Sequence, residues 1–78
     1  MPKTNFSPAH ERFLRLLRDA RTEAGMTQIE LARKLKVPQS FISKIESGKR
    51  RVDLIELQAI CKAFGIPPSK FVQRFEQE

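Results

Sequence analysis

Apolar side chains recur at intervals of three and four along five stretches of the chain, with charged and polar residues on the faces between them. That period is helical, and the glycines and prolines that punctuate the stretches leave no room for strands. Ser7-Pro8 predicts the start of a first helix over about 8–24: Ser7 can cap the orphan amides, and Pro8 gives up an N–H that had no partner. Ala9, Phe13, Leu16, Leu17, Ala20 and Ala24 follow at helical spacing, and Gly25 can take the left-handed conformation that ends the helix.

Thr27 and Glu30 have capping-box spacing, and Met26 with Leu31 that of a hydrophobic staple, so a second helix is expected over about 27–35 with Ile29, Ala32 and Leu35 on its apolar stripe. After the turn Lys36-Val37-Pro38, a third helix over about 39–47 turns Ile42 and Ile45 inward and stops at Gly48. Asp53, followed by Glu56, begins a fourth over about 53–64, with Leu54, Leu57, Ile60, Cys61 and Phe64 as its buried face and Gly65 as its terminator. Pro67-Pro68 opens a fifth over about 68–77 carrying Phe71, Val72 and Phe75. The expectation is an all-α, compact five-helix bundle forming a single domain over residues 1–78.

Composition narrows the function. At 78 residues the chain buries only roughly 60–65% of its unfolded surface, so its core is small. One cysteine excludes an internal disulfide framework and a multi-thiolate zinc site, and suits a reducing compartment. No apolar run approaches the ~20 residues that span a bilayer, so no membrane partner is expected. With a single histidine and this size, neither an enzyme, a metal site nor a cofactor is expected. The charge of +6 is distributed unevenly. Residues 1–51 hold 12 Lys/Arg against 5 Asp/Glu, while residues 52–78 hold 3 against 4. Such asymmetry suits a polyanion-binding face backed by a neutral one.

Residues 27–46 have the spacing of a helix-turn-helix, in which a short turn throws the second helix across the first at ~90–120°. Such a crossing needs a small residue at the contact, where Ala32 stands, and Val37, Ile42 and Ile45 can fill the angle. The outer face of the third helix carries Gln39, Ser40, Ser43 and Lys44, a mixture of donors and acceptors suited to base edges in the major groove.

On these residues the chain resembles the lambda-repressor-like (Cro/repressor, or xenobiotic-response-element) DNA-binding proteins. The resemblance runs from the first helix to about Phe71 and is carried by GMTQIELARKL, the SFISKIESGKRR run and the DLIELQAICKAFGI helix. It implies a sequence-specific transcriptional regulator, a small repressor or autoregulator, binding double-stranded DNA through the third helix. Gln39, Ser40 and Lys44, with Ser43 close by, would then read bases. Thr27 and Gln28 at the start of the second helix, and Ser47, Lys49, Arg50 and Arg51 after the third, would meet the DNA backbone, and Gln28 would also brace the recognition helix. Two departures stand out: Lys36 fills a turn position the family usually gives to glycine, and Pro38 replaces the usual Ser or Thr cap.

One recognition helix covers only a few base pairs, so a homodimer on an inverted repeat is expected. Phe75, with Phe71 and Val72 nearby, is its expected contact, although Phe71 also reads as core. Cys61 reads as a packed core thiol, His10 as a surface residue, and the Arg12, Arg15 and Arg18 row as a solvated helix face. The chain ends directly after its fifth helix, which suggests regulation by its own concentration or by a partner protein and no sensor domain. The alternative is a protein-interaction module, or an antitoxin using the neutral C-terminal face for a partner protein. A bacterial or phage-encoded origin is expected, with a cytoplasmic location at the nucleoid.

Overall fold

The computed structural model describes residues 7–78, which form five helices: α1 (Pro8–Glu23), α2 (Gln28–Leu35), α3 (Gln39–Glu46), α4 (Leu54–Phe64) and α5 (Pro68–Gln77). Their boundaries follow local chemistry. Ser7 Oγ accepts the His10 N–H at 3.1 Å, with Pro8 in the first turn. Thr27 and Glu30 close a reciprocal capping box, Thr27 Oγ1 accepting the Glu30 N–H at 3.0 Å and Glu30 Oε1 the Thr27 N–H at 2.9 Å. Asp53 and Glu56 do the same for α4 at 2.7 and 3.1 Å. Each box satisfies two amides that a helix start would otherwise leave orphaned.

Helix α2 packs on α3 and α4, α1 on α3 and α5, and α4 on α5. The larger core cluster joins Leu16 and Leu17 of α1, Ile45 of α3, Leu57, Ile60 and Cys61 of α4 and Phe71 of α5. A smaller one holds Leu31 and Ala32 of α2 with Ile42 and Ala63, and Leu35, Phe41 and Phe64 pack against both. The helix-turn-helix is therefore wedged into the core rather than appended to it.

Five sequence expectations change. His10 is buried, 8% exposed, and its ring stacks on Phe13 at 6.2 Å between centroids, because the first turn of α1 folds onto the end of the core. Leu54 is 73% exposed although it lies in helical register with Leu57 and Cys61: as the first residue of α4 it stands before the part of the stripe that the core covers. Ile29, in the first turn of α2, is also exposed, as is Ala9 at the start of α1. Phe71 is 1% exposed and wholly core, so it offers nothing to a second molecule.

Candidate nucleic-acid interface

The turn between α2 and α3 is made at an unusual residue. Lys36 adopts φ 61, ψ 43, and the N–H groups of Lys36 and Val37 bond back to the carbonyls of Arg33 and Ala32 at 3.2 and 3.0 Å. The lysine tolerates a left-handed conformation in which its Cβ costs about 1 kcal/mol. Pro38 then starts α3 with extended backbone and no side-chain cap. Ala32 is buried against Ile42 and Ala63, which lets the two short helices approach closely.

With Ile42 and Ile45 buried, α3 presents Gln39, Ser40 and Lys44 to solvent and leaves Ser43 half-exposed. Ser43 Oγ donates to the Ser40 carbonyl and Ser47 Oγ to the Lys44 carbonyl, both at 3.3 Å. Beneath this face lies a polar relay in which Gln28 braces the recognition helix as expected, with two members, Arg21 and Glu46, that the sequence did not assign. Arg21 of α1 grips Glu46 at the end of α3 with two bonds, at 2.7 and 3.2 Å, and also donates to the Met26 carbonyl at 2.8 Å. Glu46 Oε1 accepts from Gln28 Nε2 at 3.0 Å, and Gln28 Oε1 lies 3.4 Å from Gln39 Nε2. The relay links α1, the starts of α2 and α3 and the end of α3, and it orients Gln28 and Gln39 together. Arg21 and Glu46 lie 25 residues apart, and only one signal pointed to them: Glu46 is the lone acid among the basic residues of 36–51.

After α3 the chain turns at Gly48, buried and with φ 83, and the Lys44 carbonyl accepts the N–H groups of both Lys49 and Arg50. Lys49 and Arg51 are exposed, and so is Thr27 at the start of α2. Arg50 is half-buried, forked onto Glu56 at 2.7 and 3.0 Å. That pairing holds the Glu56 carboxyl below the usual carboxylate range, first through the Arg50 hydrogen bonds and then through the Asp53 N–H.

Of the three expected dimer residues, only Val72 offers an exposed apolar side chain. Phe75 is half-buried against the core, with the Arg12 guanidinium 4.4 Å above its ring. Exposed apolar surface gathers elsewhere, at Leu54 and Ile55, the latter 76% exposed and lining a groove with Ala59, Ile66, Pro67 and Pro68. Among the described residues no helix is long and apolar enough to cross a membrane, and no cluster of His, Cys, Asp and Glu could hold a metal.

Residues 17–71 match the family described as Helix-turn-helix. An XRE-family like protein from Pseudomonas syringae pv. tomato str. DC3000 is 41% identical, with a TM-score of 0.86 over 96% of this chain and 92% of that one. The wild-type Restriction-Modification Controller Protein C.Esp1396I is 27% identical, with a TM-score of 0.81 over 91% of this chain and 93% of that one. The clp gene regulator ClgR from Corynebacterium glutamicum is 25% identical, with a TM-score of 0.79 over 91% and 76%. No curated protein matches the chain.

Proposed function

The chain belongs to the XRE/lambda-repressor-like helix-turn-helix family of DNA-binding transcription regulators, and from that premise we propose that it acts as a small repressor or autoregulator, binding an inverted-repeat operator as a homodimer. The observation that carries this reading is the outer face of α3. Gln39, Ser40 and Lys44 are exposed on a helix whose opposite side is locked into the core and whose ends are tied to α1 and α2. A helix so held can enter the major groove without ordering itself on arrival, where Gln39 suits the N6/N7 edge of adenine and Lys44 the O6/N7 edge of guanine. Ser43 lies close enough to join them. Thr27, Gln28, Ser47, Lys49 and Arg51 flank the helix and supply backbone contacts, which set register but carry no sequence information.

Dimerisation uses the neutral side of the molecule. A basic face would repel its copy, whereas residues 52–78 hold nearly balanced charge and most of the exposed apolar side chains. The groove lined by Ile55, Ile66, Pro67 and Pro68, with the exposed Leu54 and Val72, is the proposed contact. Two of the similar structures are named as a controller and a gene regulator, which supports a regulatory role. Selection of bound sequences from a random duplex pool tests the reading directly. A two-fold symmetric consensus with half-sites about one helical turn apart is expected; recovery of unenriched sequence would overturn it.

A further inference from the structure

Lys49, Arg50 and Arg51 follow one another in the sequence as three equivalent cations, and the fold treats them differently. Lys49 and Arg51 are exposed and hold no ion pair among the described residues. Arg50 is committed on three sides. Its Nη1 donates to Glu56 Oε1 at 3.0 Å and to the Arg51 carbonyl at 2.9 Å, and its Nη2 donates to Glu56 Oε2 at 2.7 Å. Its guanidinium carbon also sits 4.3 Å from the centre of the Phe41 ring. Glu56 in turn accepts the Asp53 N–H that opens α4. One planar cation thus joins the recognition helix through Phe41, the loop through the Arg51 carbonyl, and the start of α4 through Glu56.

We infer that Arg50 is a positioning residue: it fixes the loop after the recognition helix so that Lys49 and Arg51 face phosphates, and it does not itself spend its charge on DNA. This rests on the reading of that loop as a backbone contact. The physical reason is competition. A phosphate approaching Arg50 would meet a carboxylate already bonded to both terminal guanidinium nitrogens, so it would be repelled by Glu56 or would have to displace it and break the α4 capping box. The planar fork also matters more than the charge. Lysine keeps the charge but cannot bond a carboxylate in two places, reach the Arg51 carbonyl and lie flat on Phe41 at once.

The test is titration of a labelled mixed-sequence duplex at several salt concentrations, at temperatures where circular dichroism shows each variant fully folded. Arg50→Lys is expected to weaken binding about fivefold with an unchanged salt slope, while Arg51→Lys stays within about twofold of wild type, because a lysine can replace an arginine as a point charge on phosphate but not as a bidentate fork. Arg51→Ala should lower the slope by about one per chain. Glu56→Gln is the second variant should Arg50→Lys fail to fold. A positioning Arg50 makes it bind more weakly despite the added net positive charge, whereas a phosphate-binding Arg50, released from its carboxylate, makes it bind more tightly with a steeper slope. Wild-type affinity in Arg50→Lys, or tighter binding by Glu56→Gln, would overturn the inference alone. No effect of Arg51→Ala on affinity or slope would overturn it together with the reading of the loop.

Discussion

Lys36 is the one non-glycine among the described residues with positive φ, and it occupies the hinge of the helix-turn-helix. Glycine there would remove the Cβ strain but adds freedom to the unfolded chain, and the first effect is the larger at φ 61. Lys36→Gly should therefore raise stability by about 0.5–1 kcal/mol, read as a higher denaturation midpoint at constant slope. A lower midpoint would mean that the lysine side chain stabilises the turn by some other route. Gln39 and Arg51 separate two roles at the same scale. Gln39→Ala should cost about 1–3 kcal/mol on the preferred operator and relax one base position per half-site, with nonspecific binding nearly unchanged. Arg51→Ala should weaken operator and scrambled DNA alike. Parallel titrations on the two DNAs check both, and equal loss on both DNAs by Gln39→Ala would remove it from base reading.

At the scale of elements, the helix-turn-helix depends on one small side chain and one buried ion pair. Ala32→Leu pushes extra methylenes between α2, α3 and α4 and should cost about 1–3 kcal/mol; a melting curve within a degree of wild type would exclude the close crossing. Glu46→Ala strands Arg21, whose side chain is 12% exposed beside a partner at 8%, and should cost about 3 kcal/mol while loosening Gln28 and Gln39. Helix α4 carries a pH signature. Glu56 is held below its ordinary range in the fold, so its stabilisation is complete above about pH 4.5 and is lost as pH falls through the folded value. Glu56→Gln should flatten the acid limb of a stability–pH profile, and an unchanged limb would assign acid sensitivity elsewhere. Much of this scale was legible in the sequence. Ser7, Thr27, Asp53 and the proline and glycine stops act within a few residues of themselves, so five helices emerge within a residue or so of their predicted ends. Leu54 misled because periodicity does not say where the stripe begins. Glu46 stood out as the lone acid of 36–51, but its partner Arg21 and the Arg50–Glu56 pair were illegible, because partners are chosen by the packing of α1 and α4, not by spacing along the chain.

The described residues span 34 × 26 × 20 Å, and successive major grooves on one face of a duplex lie about 34 Å apart. The proposed homodimer, joined on its neutral sides, must hold its two recognition helices at that separation. On the proposed dimer contact, Ile55→Glu should leave the chain monomeric at micromolar concentration in sedimentation equilibrium and steepen the concentration dependence of operator binding. Unchanged association would move the contact off the Leu54–Ile55 patch. Cys61 has a different use at this scale. It is the only cysteine of the chain, it is fully buried, and burial pushes its thiol up, away from reactivity. A thiol reagent can reach it only when the core around α4 opens, so the rate of modification reports those openings. A duplex that binds only the closed form slows that rate by the factor 1 + [DNA]/Kd. The protein thus contains its own clock for affinity, readable by mass without attaching a dye to either partner.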